Sequence, residues 1–202
     1  MSYRGKRALD IGVATSLLVV ASPFLGIAAL LIRLETHGHP IYRQRRVGRD
    51  GQPFELYKLR TMVTDAERLG AGLIVDAGDA RITRIGAWLR RYSIDELPNL
   101  INVLAGDMSL VGPRPTVQVQ VDQYSERQRG RLDVRPGITG WAQVNGRASL
   151  PWHERIELDL WYVEHASLAL DLRIMWLSLR MVFGGHGLYR GETGGWRQPP
   201  RE

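Results

Sequence analysis

The sequence predicts a mostly helical α+β fold that attaches to one face of a membrane. Three observations support this prediction: a long uncharged run near the N-terminus, an Asp-Gly turn between two alternating stretches, and helical spacing of apolar residues in much of the remainder. At 202 residues the chain has the length of one domain and can bury a core of its own.

The uncharged run covers residues 11–32, which is 22 positions. At 1.5 Å per residue it could cross a bilayer core of about 30 Å. Ser22 and Pro23 lie at its middle. Pro23 has no amide to bond the Val19 carbonyl, so we expect a kink there, and the Ser22 hydroxyl can satisfy a freed backbone group.

Basic residues flank the run on both sides, and Asp10 at its start is expected to pair with them at the interface. The positive-inside rule places lysines and arginines on the cytoplasmic side of a membrane. We therefore predict a re-entrant helix that enters the bilayer and returns. The alternative is an ordinary kinked helix that spans the membrane once.

Residues 41–47 and 54–60 predict a β-hairpin around the Asp-Gly turn at 50–51. Most of its arginines are expected to face solvent or anionic membrane lipid. Lys58 and Arg60, on the return strand, are better candidates for a site.

Apolar spacing predicts helices over 63–70, 81–92, 116–132, 151–164 and 168–183, and a glycine-rich mobile loop over 71–79. The helix over 116–132 is expected to lie on the surface. The last helix carries Trp176, which suits an interfacial amphipathic helix with the indole at headgroup depth. A buried core helix is the alternative there.

Two adjacent carboxylates, Asp95 and Glu96, follow Ser93 in a pattern that fits a capping box. Pro98 suits the first position of a helix better than its fifth. At a helix N-terminus the macrodipole favours the charged forms by about 0.3–1 kcal/mol each. One carboxylate could then attack while its neighbour holds a cation. The alternative is that both only stabilise the helix.

The residues around this pair favour a site for phosphate groups. Arg90 and Arg91 precede it, Arg114 follows it, and guanidinium groups bind anionic oxygens well. A net charge of +6 indicates an anionic partner. The chain has no cysteine, which excludes thiol nucleophiles and thiolate metal sites. Nucleic acid is not expected, because aromatic residues are only 8% and no RNA-reading signature is present.

Several motifs occur in an order that resembles a known family. They are Lys-Leu-Arg-Thr-Met at 58–62, Asp-Glu-Leu-Pro at 95–98, Gly-Asp-Met-Ser-Leu-Val-Gly-Pro-Arg-Pro at 106–115 and Arg-Pro-Gly-Ile-Thr-Gly at 135–140, together with the Ser-Pro break in the membrane run. Across about residues 3–183 the chain resembles the bacterial sugar transferases, which are monotopic polyprenyl-phosphate phosphoglycosyl transferases. It resembles their small form, without the additional membrane helices that large members carry ahead of this core.

The resemblance implies a reaction. A sugar-1-phosphate moves from a nucleotide diphosphate sugar to polyprenyl (undecaprenyl) phosphate, at the cytoplasmic face of the bacterial inner membrane, as the first membrane step of surface glycan assembly. Mg²⁺ is the implied cofactor. Asp95 matches the family's nucleophile, which forms an aspartyl phosphosugar, and Glu96 matches its metal ligand.

The resemblance also implies substrate-binding residues. Lys58, Arg90, Arg114 and Arg147 match cationic family positions, and Asp159 matches an acidic position near the metal. From the residues alone, Arg90 could instead pair with a carboxylate and Asp159 could face solvent.

We accordingly expect a membrane helix with its flanks (1–39), a cytoplasmic catalytic domain with interfacial helices (40–183) and a disordered tail (184–202). The sequence is compatible with a homodimer but does not predict one. The rival hypothesis is a non-catalytic, membrane-anchored basic adaptor that binds anionic lipid.

Overall fold

A computed structural model describes residues 3–66, 78–146 and 149–184. It has the expected mostly helical α+β composition, with two small sheets. In chain order the elements are α1 (Lys6–Glu35), β1 (Ile41–Val47), β2 (Pro53–Leu59), α2 (Arg84–Arg91), α3 (Asn99–Ala105), β3 (Ser109–Val111), α4 (Gln118–Val121), α5 (Glu126–Arg129), β4 (Gly137–Thr139), α6 (Trp141–Val144), α7 (Trp152–His165) and α8 (Leu168–Gly184).

The uncharged run forms the single 30-residue helix α1, which continues through Pro23. Within the described residues it is the one helix long and apolar enough to cross a membrane, judged by length and composition. The Ser22 hydroxyl donates a hydrogen bond to the Val19 carbonyl at 2.8 Å, as the missing Pro23 amide predicts. The predicted bend at Pro23 stays a prediction.

Both halves of α1 pack against the same globular part of the chain. Ala14, in its first half, belongs to a core cluster with α3, β3 and α8, whereas Ala28 and Ile32 pack in its second half against Leu59 of β2 and Leu89 of α2. The opposite face of α1 exposes large apolar side chains along its whole length; they include Leu17, Val19, Val20, Phe24, Ile27, Leu30 and Leu34.

Polar contacts hold the two ends of α1. At its start, Lys6 forms a buried ion pair with Asp171 of α8, with Nζ and Oδ2 2.5 Å apart. Asp10 is not the interfacial residue we predicted: it is buried, and its Oδ1 accepts a hydrogen bond from the Leu110 amide at 3.1 Å. At the other end, Glu35 accepts hydrogen bonds from the first amides of α2, at Arg84 and Ile85.

The predicted hairpin is confirmed, with β1 and β2 antiparallel and in register from Ile41 opposite Leu59 to Val47 opposite Pro53. Asp50 takes a left-handed conformation at the turn (φ 55°). The guanidinium of Arg60, the other candidate on the return strand, donates hydrogen bonds to the carbonyls of Thr36, His37 and Gly38 and so fixes the chain after α1.

A second sheet was not predicted. Strands β3 and β4 pair in parallel, with Ser109 beside Gly137 and Val111 beside Thr139. Each is three residues long, so neither gives a readable alternation in the sequence. A Cβ atom on Gly137 would lie 2.1 Å from the Gly112 amide nitrogen, which shows how closely the two backbones approach.

One helix prediction needs correction, and for α8 the wholly buried alternative is wrong. Residues 116–132 form the short helices α4 and α5 and a 3₁₀ turn rather than one surface helix, and Val121, Tyr124 and Arg131 are buried. Helix α8 is not wholly buried: Ile174 and Asp171 face inward, whereas Trp176 is 63% exposed. The predicted helix over 63–70 and mobile loop over 71–79 lie largely outside the described residues, as does the tail except for Gly184, which ends α8.

Candidate active site

The acidic pair lies in a 3₁₀ turn, Ile94–Glu96, between α2 and α3. Ser93 has a left-handed backbone (φ 55°) and its side chain makes no capping hydrogen bond, so the predicted capping box is wrong. The cause is Pro98, which has no amide to donate. The chain before Pro98 therefore forms 3₁₀-type hydrogen bonds, in which each amide donates to the carbonyl three residues earlier. Helix α3 starts at Asn99, with Pro98 as its N-cap.

Glu96 is held by two cations from separate elements. Its Oε1 accepts hydrogen bonds from Lys58 Nζ at 2.8 Å and from Arg114 Nη2 at 2.7 Å. β2 supplies Lys58, and the Gly-Pro-Arg-Pro loop after β3 supplies Arg114. Burial alone would raise the pKa of Glu96, but the charges and hydrogen bonds of these two partners hold it well below its usual value.

Asp95 has the opposite environment. It is 9% exposed, and among the described residues its carboxylate has no hydrogen-bond partner. Burial and the neighbouring charge of Glu96 raise its pKa, although Lys58, Arg90 and Arg114 oppose the rise. We expected the helix dipole and the arginines to favour the ionised form of Asp95. The raised pKa corrects that prediction, because burial outweighs both effects.

Arg90 lies on the α2 side of the site. Its Nη1 is 3.5 Å from the hydroxyl of the buried Thr61, which is a long contact, and its charge lowers the pKa of Asp95. Lys58 is also affected by burial, which lowers its pKa, while Glu96 acts to raise it. The site thus joins a buried carboxylate that has no hydrogen bond from any described residue to a carboxylate that two cations share.

A buried ion pair supports the loop that carries Arg114. Arg131 donates hydrogen bonds from Nε and Nη2 to Asp159 Oδ2, at 2.9 and 2.6 Å, and from Nη2 to the Arg114 carbonyl at 2.9 Å. Its Nη1 also donates to the Tyr124 hydroxyl. Burial raises the pKa of Asp159, and Arg131 opposes that rise. The backbone that presents Arg114 is therefore fixed by a contact inside the domain.

The profile of the family described as "Bacterial sugar transferase" matches residues 1–185. The chain belongs to the bacterial sugar transferase family. Similar proteins include "Uncharacterized sugar transferase EpsL" of Bacillus subtilis, which is 43% identical over 183 residues, covering 91% of this chain and 89% of that protein.

Two further relatives have names that state an activity. "Undecaprenyl-phosphate glucose phosphotransferase" of Komagataeibacter xylinus is 41% identical over 190 residues, which is 87% of this chain and 35% of that protein. "UDP-glucose:undecaprenyl-phosphate glucose-1-phosphate transferase" of Escherichia coli is 41% identical over 193 residues, 91% of this chain and 41% of that protein. The chain therefore spans less than half the length of these two relatives.

In this sugar transferase the fold brings together most of the predicted site residues. Asp95, Glu96, Lys58 and Arg114 form one cluster, and Arg90 lies near enough to affect Asp95. Asp159 is 2% exposed, so the solvent-facing interpretation is wrong; its ion pair is with Arg131. Arg147 lies outside the described residues. The predicted membrane break, Ser22 and Pro23, lies on the exposed side of α1.

Sequence reasoning missed two arginines of this sugar transferase. Arg131 supports Arg114, and Arg155 lies with Trp152 and Asp159 on α7 at spacings of three and four residues. Those spacings place side chains on one helix face, so the pattern was readable once Asp159 had been singled out. For Arg131 there was no comparable signal, because Arg114 and Asp159 lie 17 and 28 residues away in the chain.

Proposed function

We propose that the protein is a phosphoglycosyl transferase that moves a sugar-1-phosphate from a nucleotide diphosphate sugar to polyprenyl phosphate. The observation that carries the proposal is the contrast within the acidic pair. Asp95 has no hydrogen bond in the described part of the chain, whereas Glu96 is fixed by two cations. The names of the relatives, with UDP-glucose and undecaprenyl phosphate as substrates, support the same reaction class.

In the proposed mechanism an oxygen of Asp95 attacks the sugar-bearing phosphorus of the donor. The bond from that phosphorus to the bridging oxygen breaks, and the nucleoside monophosphate leaves with the electron pair. A phosphate oxygen of the polyprenyl phosphate then attacks the aspartyl phosphosugar, and the Asp95 carboxylate is released. Two displacements of this kind replace one difficult transfer between two anions.

Lys58 and Arg114 bind phosphate oxygens of the donor in this proposal. Both already lie within 2.8 Å of Glu96, so their charged ends are held beside the attacking carboxylate before substrate arrives. Arg90, on α2, favours the ionised form of Asp95. Cations placed in advance around the transferred group stabilise the charge that develops during displacement.

The residues present fit Mg²⁺, which we propose as the cofactor. The described residues contain no group of three or more acidic or histidine side chains for a metal. Mg²⁺ needs only one or two carboxylates when phosphate oxygens and water complete its shell. Glu96 Oε2, which has no hydrogen-bond partner among the described residues, would hold the ion. When bound, Mg²⁺ neutralises charge on the diphosphate.

We also propose that the catalytic part lies on the cytoplasmic face of the bacterial inner membrane, with α1 re-entering it. A straight helix of 30 residues would be about 45 Å long. Yet Lys6, at its start, pairs with α8, and Glu35, at its end, pairs with α2 of the same domain. A helix that crossed the bilayer could not keep both ends on one domain. Arginines of β1 supply a cationic surface for anionic lipid.

The function is tested by incubating purified protein with nucleotide sugars, Mg²⁺ and undecaprenyl phosphate. We expect release of the nucleoside monophosphate with one nucleotide sugar, and capture of labelled phosphosugar on the protein when the lipid is omitted. Asp95→Asn is the control and should show neither. A protein that binds anionic vesicles but releases no nucleotide from any donor would support the adaptor hypothesis instead.

A further inference from the structure

Arg155, in the second turn of α7, has a guanidinium group with an unusual environment. It is partly buried, and its Cζ lies 5.3 Å from the centre of the Trp152 ring. Among the described residues it forms no side-chain hydrogen bond and no ion pair. A charged group removed from water normally has a compensating partner, so a guanidinium without one suggests a missing anion.

Two other arginines of the site lie close to Arg155. The Cζ of Arg131 lies 5.6 Å from the centre of the same Trp152 ring, and Arg131 bonds to the Arg114 carbonyl. Burial and the nearby charge of Arg114 lower the pKa of Arg155 to about 10. Arg155 therefore belongs to the same group of cations as Arg114 and Arg131 and is not an isolated surface arginine.

The charges around the site do not balance. The carboxylates are Asp95, Glu96 and Asp159. The cations whose charges act on them or on each other are Lys58, Arg90, Arg114, Arg131 and Arg155. Within the described ranges, five cations and three carboxylates leave a surplus of two positive charges. A ligand that carries about two negative charges at neutral pH, such as a phosphate or diphosphate group, would complete the site.

We infer that Arg155, presented on the face of Trp152, is an anion-binding residue that holds a phosphate group of a substrate next to Arg114. This inference rests on the proposed function for the identity of the substrate. Trp152 limits the positions that the guanidinium can take, so less side-chain entropy is lost when an anion binds. The phosphate can belong to the nucleotide sugar or to the polyprenyl phosphate.

Asp159 gives the competing structural explanation. Its Oδ1 is buried and has no hydrogen-bond partner in the described residues, and it lies four residues beyond Arg155 on the helix. If Arg155 only compensated that oxygen, its loss would lower stability and leave anion affinity unchanged. The two roles are therefore separable by measuring both quantities on the same variants.

The first experiment titrates inorganic pyrophosphate into the purified full-length protein by calorimetry and records the melting temperature. We expect Arg155→Gln to weaken pyrophosphate binding roughly tenfold with little change in melting temperature, and Arg155→Lys to recover part of the affinity. Arg127→Gln is the matched control, because Arg127 is an exposed arginine that pairs with Glu157 of α7. Equal affinity in wild type and Arg155→Gln, or no binding in either, would overturn the inference.

The second experiment identifies the source of the phosphate. In a two-step transfer, kcat/KM for each substrate reports its own half-reaction. A fall confined to the nucleotide sugar assigns Arg155 to the donor, and a fall confined to undecaprenyl phosphate assigns it to the acceptor. Pyrophosphate binding needs no turnover. A protein whose Arg155-dependent binding is present but which releases no nucleotide would thus support this site and count against the proposed function.

Discussion

Asp95 and Glu96 are adjacent in the chain, but the fold shifts the pKa of one upward and of the other downward. A carboxylate whose charged form is disfavoured destabilises the folded protein at neutral pH. A carboxylate whose folded pKa is depressed contributes stability above its unfolded pKa, and that contribution is lost as the pH falls through the folded value. Neutral substitutions at the two positions should therefore change stability in opposite directions.

We predict that Asp95→Asn abolishes transfer and also stabilises the protein by about 1 kcal/mol, because it removes a buried charge to which none of the described residues donates a hydrogen bond. Glu96→Gln should impair Mg²⁺-dependent activity and destabilise by roughly 1–3 kcal/mol, since it leaves Lys58 and Arg114 without their charged partner. Thermal denaturation at pH 7 measures the stability of both variants. If both substitutions destabilise equally, the assigned environments are wrong.

The pH dependence of activity should report Asp95 in its ionised form. Its pKa is raised, so kcat/KM should fall on the acidic side through a value above that of an ordinary aspartate. Arg90→Gln removes a cation that lowers this pKa and should move the acidic limb to higher pH. Arg91→Gln is the matched control, because Arg91 is exposed and lies over the Tyr92 ring. An unchanged limb in Arg90→Gln would contradict the placement of Arg90.

At the scale of elements, the sheet of β3 and β4 determines where Arg114 lies. The loop that carries Arg114 starts at Gly112, and Gly112 packs directly on Gly137 of β4. We predict that Gly137→Ala destabilises the protein by about 1–3 kcal/mol, because the new methyl group meets backbone that cannot move aside. The loss of activity should be larger than the loss of folded protein accounts for, because the shifted loop separates Arg114 from Glu96. The control is Gly12→Ala within helix α1, where no described atom lies within 4 Å of the new methyl group and the backbone is helical.

The ion pair between α7 and the turn after α5 allows a second test of this support. Arg131 and Asp159 are both buried, so Arg131→Met leaves an uncompensated carboxylate and should cost about 3–5 kcal/mol of stability. Arg127→Met breaks the exposed pair with Glu157 of α7 and should change stability far less, because solvent screens that pair. Urea denaturation of the two variants gives the comparison, and equal losses would refute a buried role for Arg131.

Elements with a strong local signal could be predicted from the sequence. Asp-Gly at a turn fixed the hairpin, and the absence of charge fixed α1. The predictions failed where non-local contacts decide the structure. Asp10 was predicted to pair with basic residues at the interface, because its actual partner, Leu110, lies 100 residues away in the chain. The acidic pair and its cations were found through motifs, but the burial that raises the pKa of Asp95 depends on the packed domain.

For the whole molecule, the contacts at both ends of α1 predict its topology. The chain has no cysteine, so single cysteines can be introduced at Arg4 and His37, on either side of α1. In sealed inverted vesicles both should react with a membrane-impermeant maleimide, and in intact spheroplasts neither should. Labelling from opposite sides would show a helix that crosses the bilayer. Pro23→Ala is the informative variant, since a regular helix there favours crossing.

The ion pair between Lys6 and Asp171 joins residues 165 positions apart. A ribosome adds about 5–20 residues each second, so α1 waits for roughly 8–33 s before its last partner is synthesised. For that interval α8 cannot pack on the start of α1, and the exposed apolar face of α1 has no cover from the described part of the chain even afterwards. If α1 enters the bilayer as proposed, the nascent chain has to reach lipid early, and the domain closes around its first helix only after α8 has been made.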